Sequence, residues 1–147
     1  MDDRLDYTID FINTAFDLTS KLPEEHNAGN PCYGKDVAEY ITEKLRLHNI
    51  DVEYYDEDWG WQVASKIDSN NFFEINIYPW GFLGDESGDE FHLWRLRLCA
   101  KQKSKFMGFI PTLKPVKCND KWKSIIQNIL SQDGNRLVSM ETNVEWR

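Results

Sequence analysis

The sequence predicts one α+β domain over residues 1–147, a mostly antiparallel sheet of about six strands with two helices packed on one face. Three observations carry that expectation. Segments with a two-residue hydrophobic period follow one another directly, two other segments have a helical period, and turn-forming residues divide most of them. Strands in succession pair as hairpins, which makes a sheet largely antiparallel. The expected order is strand, helix, four strands, helix, strand.

Near the N-terminus Leu5, Tyr7, Ile9 and Phe11 alternate with Asp6, Thr8 and Asp10. A helical stripe through Leu5, Ile9 and Phe16 leaves Tyr7 and Phe11 stranded, so the alternation favours a strand with one buried face. Residues 13–31 read as a long irregular passage, dense in turn formers from Leu22-Pro23 to Asn30-Pro31. Passages of that length inside compact domains are uncommon and often functional.

From Tyr33 to His48 the period becomes helical. Val37, Ile41, Leu45 and His48 share a face that Ala38 and Tyr40 broaden, opposite Glu39, Thr42, Glu43 and Arg46. Asn30-Pro31 offers a cap and a first-turn proline, while Gly34 leaves the start open by a few residues. Next, Ile50, Val52 and Tyr54 alternate with Asp51 and Glu53, and Trp61, Val63, Ser65 and Ile67 alternate with Gln62, Ala64, Lys66 and Asp68. That pattern predicts a hairpin bending within residues 56–60.

Phe73, Ile75 and Ile77 mark the next strand, which Pro79 is expected to end by removing a donor. Residues 79–90 read as a solvated loop whose spacing does not match the twelve-residue calcium loop. Strand character returns over residues 91–101, with Trp94, Leu96, Leu98 and Ala100 inward. Residues 102–117 read as a basic, proline-punctuated connection holding Lys103, Lys105, Lys114 and Lys117. Trp122, Ile125, Ile126, Ile129 and Leu130 then define the clearest helix, with Asn119 or Asp120 as cap and Gly134 beyond its end. Residues 136–146 form the last strand.

Composition narrows the function classes. With 25 acidic against 17 basic residues the net charge is −8, a field that repels phosphate backbones and suits a cationic partner. No nucleic-acid partner is expected. Cys32, Cys99 and Cys118 are widely spaced and form no CxxC pair, which argues against a zinc site or a disulfide framework. No metal or cofactor is expected. The N-terminus lacks a basic region followed by an apolar run, and no segment approaches the roughly 20 apolar residues of a membrane span. The expectation is a cytoplasmic protein with no membrane partner.

The most unusual passage is Tyr54-Tyr55-Asp56-Glu57-Asp58-Trp59-Gly60-Trp61-Gln62-Val63. Paired carboxylates can do acid–base chemistry or hold a cation. Adjacent residues on a strand point to opposite faces, however, so Asp56, Glu57 and Asp58 read first as a solvated rim. Trp61, in phase with Val63, reads as core, and Gly60 as a site for a bulge or a positive φ. The functional reading is a surface for a cationic protein, formed by Asp56, Glu57, Asp58 and Trp59 and extended by Asp85, Glu86, Asp89 and Glu90. The alternative is a small-molecule enzyme or sensor with a pocket under residues 22–34, using His26, Asn30, Cys32 and Tyr33. Cys32 would there be a thiolate at a helix start. No catalytic residue is assigned, because no HExxH, GxSxG, P-loop or dinucleotide fingerprint is present.

Leu22-Pro23, Asn27-Ala28-Gly29-Asn30, Tyr33-Gly34-Lys35-Asp36-Val37-Ala38 and Asp56-Glu57-Asp58-Trp59-Gly60-Trp61-Gln62-Val63 together resemble a group of small bacterial cytosolic proteins of uncharacterised activity. The resemblance covers roughly the first half of the chain and brings no catalytic residues. Size and acidity are similar, at the level of class alone, to immunity proteins of bacterial toxin systems, which bind and block a usually basic toxin domain. The expected function is accordingly non-enzymatic: an immunity-like inhibitor acting through an acidic, Trp-containing surface.

Overall fold

A computed structural model describes residues 6–13, 16, 34–57, 60–66, 68–84, 90–118 and 120–142. The elements are β1 (Tyr7–Ile12), α1 (Lys35–Leu47), β2 (Glu53–Glu57), β3 (Gly60–Lys66), β4 (Asn71–Gly84), β5 (Glu90–Phe106), β6 (Ile110–Val116), α2 (Asp120–Ile129) and β7 (Arg136–Thr142). All strand pairings are antiparallel. The sheet runs β2-β3-β4-β5-β1-β7, and β6 pairs with β5 beside this path. The fold is α+β, as the alternating segments predict, with seven strands among the described residues where about six are expected.

The pairing register sorts the side chains into two faces. Ile9, Leu96, Ile77 and Trp61 line up across four strands, as do Tyr7, Leu98, Ile75 and Val63. These residues are buried and join Val37, Ile41 and Leu45 of α1 and Trp122, Ile126 and Ile129 of α2 in one core. The helices therefore cover the same face. Trp122 stacks on Phe73 with ring centroids 4.3 Å apart.

Two glycines permit the close approaches. Gly34 precedes α1 at φ 130°, and a Cβ there would lie 3.0 Å from Trp94 Cζ3 and 3.1 Å from Trp61 Cδ1. Gly60 opens β3, and a Cβ there would lie 2.4 Å from the Ile77 carbonyl oxygen. α1 begins at Lys35 with Gly34 at its cap position and no capping side chain; Asn30-Pro31 lies outside the described residues.

Three expectations need correction. Residues 102–117 are no connection: β5 runs on to Phe106, turns, and returns as β6 in register from Phe106↔Ile110 to Ala100↔Val116. Pro79 does not end β4. It sits opposite Trp94, and a register shift between Pro79 and Gly81 absorbs the missing donor, so residues 79–84 and Glu90 are paired strand and not loop. β1 is not buried on one face only, since all six of its residues are buried. Its second face carries Asp10, which Arg95 of β5 grips with two hydrogen bonds of 2.7 Å.

Polar side chains share the rest of that second face with buried Ile12, Tyr78 and Cys99. Arg97 pairs with Asp6, Lys101 Nζ lies 3.1 Å from Glu74, and Gln62 Nε2 donates to Asn76 at 3.2 Å. These cross-strand pairs give its polar groups their partners.

Candidate interaction surface at the β2 edge

Among the described residues β2 is terminal in the strand order and pairs only with β3. Its register places Glu53 opposite Ala64, Tyr55 opposite Gln62 and Glu57 opposite Gly60, on the sheet face away from the helices, although the Glu53 carboxylate reaches Arg46 at the end of α1. Tyr54 points to the helix side instead, where its ring lies 6.1 Å from Trp61 and its hydroxyl donates to Glu39 at 3.2 Å. Burial, with the Glu39 carboxylate beside it, raises the Tyr54 pKa.

Where β2 begins, the chain is tied down from both sides. Arg46 of α1 donates from Nη2 to the Val52 carbonyl at 2.9 Å and lies 3.4 Å from the Glu53 carboxylate. Ser65 Oγ donates to the Asp51 carbonyl at 2.8 Å. Beside these contacts opens a shallow cleft of about 320 Å³, lined among others by Asp51, Glu53, Tyr55, Lys66, Phe72 and Glu74. Tyr55 is half exposed, and Asp51 and Glu53 are exposed. A half-exposed aromatic among carboxylates, on a strand that terminates the sheet order among the described residues, can receive a basic chain segment by strand addition and ion pairing.

The expected rim is only partly visible. Asp56 lies opposite Trp61 and Glu57 opposite Gly60, both half-buried, and their alternation sends them to opposite faces. Glu90 opens β5 opposite Gly84. Gly60 packs beside Tyr78, six residues before Gly84 on β4. The two acidic ends are therefore separated by about 20 Å at strand rise. Asp58, Trp59, Asp85, Glu86 and Asp89 lie outside the described residues, as do His26, Asn30, Cys32 and Tyr33 of the alternative pocket. Sequence reasoning did not single out Asp51, Glu53, Tyr55 or Glu74 as site residues. Their signal was available as edge-strand polarity, an acidic strand with an aromatic on its outward face.

Among the described residues, Cys99 and Cys118 are buried free thiols, and burial pushes their pKa values up to about 12 and about 11. No three His, Cys, Asp or Glu side chains among those residues converge to hold a metal. No described helix is long and apolar enough to cross a membrane. Comparison with known protein families, with curated proteins and with solved structures finds no match.

Proposed function

We propose that this is a non-enzymatic protein-binding protein, an immunity-like inhibitor that receives a basic toxin domain along the β2 edge. The observation behind this reading is the acidic edge itself, with Glu53 and Tyr55 exposed beside Asp51. Complementary charge speeds encounter, and the exposed tyrosine holds the complex. Such an inhibitor would act in the cytoplasm. Affinity purification from source cells with mass spectrometry identifies the partner, and stopped-flow association then tests the surface. Asp51→Asn/Glu53→Gln is expected to slow association about 3–10-fold and flatten its salt dependence. Unchanged association with the recovered partner would remove this surface from consideration.

One observation favours a second reading, a ligand pocket formed with residues 22–34. The buried indole Nε1 atoms of Trp61 and Trp94 have no hydrogen-bond partner among the described residues, and both rings pack against Gly34 at the start of α1. Buried donors without an acceptor are costly, and a bound carboxylate or carbonyl would satisfy them. Thermal-shift screening with carboxylate metabolites tests this; stabilisation that Trp61→Phe abolishes would support it over the first reading.

A further inference from the structure

The charge of this chain is segregated. Residues 91–118 hold seven basic residues and no acidic one, so all 25 acidic residues lie elsewhere against ten basic ones. The basic stretch covers β5 from Phe91, the turn and β6; Arg95, Arg97 and Lys101 pair with Asp10, Asp6 and Glu74 in the main sheet, and Lys103, Lys105, Lys114 and Lys117 belong to the distal part. β4 accompanies β5 only as far as Gln102. Beyond that point the two-stranded ribbon continues through four residue pairs to Phe106↔Ile110, a further ~13 Å at strand rise. That exceeds the ~8 Å over which salt screens charge at physiological ionic strength.

The end of the ribbon is apolar and open to solvent. Phe106 is 61% exposed, and Met107 and Phe109 are each 71% exposed. Ile110 and Leu113 are exposed too. Met107 and Gly108 both have positive φ, 54° and 82°, and the Phe109 amide donates to the Phe106 carbonyl at 3.3 Å. Turns of this kind suit Asn or Gly at the first central position, so a methionine there is a costly choice that adds exposed apolar surface at the apex.

Lysines stand behind this tip on both faces. Lys103 and Lys105 share a face with Leu113 and Pro111, whereas Lys114 lies on the other face with Thr112 and Ile110. Among the described residues no carboxylate pairs with Lys103, Lys105, Lys114 or Lys117. Pro111 and Pro115, four apart, present their missing donors to the same edge of β6. Its pairing with β5 continues past both, which puts those gaps on the free edge and makes strand addition there unfavourable.

We propose that this arm docks on an anionic membrane surface, with Phe106, Met107 and Phe109 entering the interface and the lysines holding lipid phosphates behind them. An interfacial segment buries its apolar residues about 5–10 Å deep. Lys103, opposite Leu113, lies ~10 Å behind the Phe106↔Ile110 pair at strand rise, at headgroup level when the tip is so placed. The arm's length puts its tip beyond the screening distance from the acidic remainder of the chain, of which Asp68 comes nearest among the described residues, in the turn whose Asn70 carbonyl accepts from the Lys103 amide at 2.7 Å. The sequence-based expectation of no membrane partner rested on the lack of a spanning segment, which peripheral docking does not need.

Co-sedimentation of the full chain with vesicles tests this directly. The protein should pellet with phosphatidylcholine vesicles containing phosphatidylglycerol, should not pellet with phosphatidylcholine alone, and should be released by high salt. Phe106→Ser/Phe109→Ser and, separately, Lys103→Gln/Lys105→Gln/Lys114→Gln should each lower binding about tenfold or more. Leu47→Ser, another exposed apolar residue at the end of α1, should leave it unchanged. Circular dichroism checks that each variant folds, as expected for exposed positions. Equal binding to both vesicle types, or no binding, overturns the proposal. So does a dimer in sedimentation velocity that the Phe variant dissolves without any vesicle binding, which would assign the arm to a second copy of the chain.

Discussion

Arg95 grips Asp10 through Nε and Nη2, one donor to each carboxylate oxygen at 2.7 Å, from facing positions on β5 and β1. Both side chains are almost fully buried, at 7% and 5% exposure. The pair sits on the sheet face away from the helices, where Tyr78 is also buried and its pKa is pushed up to about 12 by that burial. A forked guanidinium–carboxylate contact fixes the register of two strands far apart in sequence. Its worth lies in what happens when it is broken.

Asp10→Asn keeps the shape and removes the charge, leaving a buried guanidinium without its counterion. Loss of one partner from a buried pair costs on the order of 3–5 kcal/mol. Urea denaturation should show a midpoint lowered accordingly with the slope retained. A change below about 1 kcal/mol, within the range of an exposed pair, would mean that the guanidinium is compensated by other groups.

Gly60 makes a sharper steric prediction. The site has φ 157°, and an added Cβ would meet the Ile77 carbonyl oxygen at 2.4 Å and Tyr78 Cβ at 3.2 Å. Backbone atoms cannot swing aside, so β3 and β4 must separate at the end where β3 begins. Gly60→Ala is expected to cost about 2 kcal/mol or more. Hydrogen exchange should show the loss concentrated in β2 and β3. Uniform loss of protection throughout the sheet would place the strain elsewhere.

How far the sequence could be read depended on whether burial left a pattern. Trp61, Val63, Phe73, Ile75, Ile77, Trp94, Leu96 and Leu98 are buried on one sheet face, and they are legible because polar residues such as Gln62, Glu74, Asn76, Arg95 and Arg97 alternate with them. That same rule misread β1. Asp10 and Thr8 look solvent-facing by type, yet a cross-strand arginine makes burial of the aspartate tolerable, and single-strand periodicity carries no information about a partner 85 residues away.

β6 failed for the opposite reason. Both of its faces are exposed, so no hydrophobic alternation arises, and Pro111 and Pro115 imitate a loop while marking a sheet edge. Pro79 reads as a strand end because a bulge that absorbs a missing donor has no local sequence signature. The acidic surface was sought where carboxylates are densest in sequence. Strand alternation disperses Asp56 and Glu57, while the β2 edge assembles Asp51, Glu53 and Tyr55 beside Glu74 from β4.

Alkaline pH should destabilise the fold in a defined window. Burial, first among the causes at each group, raises Cys99 from 9.0 to about 12 and Cys118 from 9.0 to about 11. It also raises Tyr40 and Tyr78 from 10.0 to about 12, with the Asp133 carboxylate adding to the effect at Tyr40. Above the ordinary thiol and phenol values the unfolded chain gives up these protons while the folded chain keeps them. The unfolded state then binds fewer protons, so unfolding free energy falls as pH rises. Stability from these groups is complete below pH 9, begins to fall there through the thiols, falls faster above pH 10 as the tyrosines join, and is exhausted near pH 12. Urea midpoints taken from neutral to alkaline pH measure this. Cys99→Ala should make the first part of the decline shallower, and the native Cys99 and Cys118 thiols should resist a disulfide reagent at mildly alkaline pH until urea unfolds the chain. A decline of the same steepness in Cys99→Ala would show that the thiol is already ionisable in the folded state.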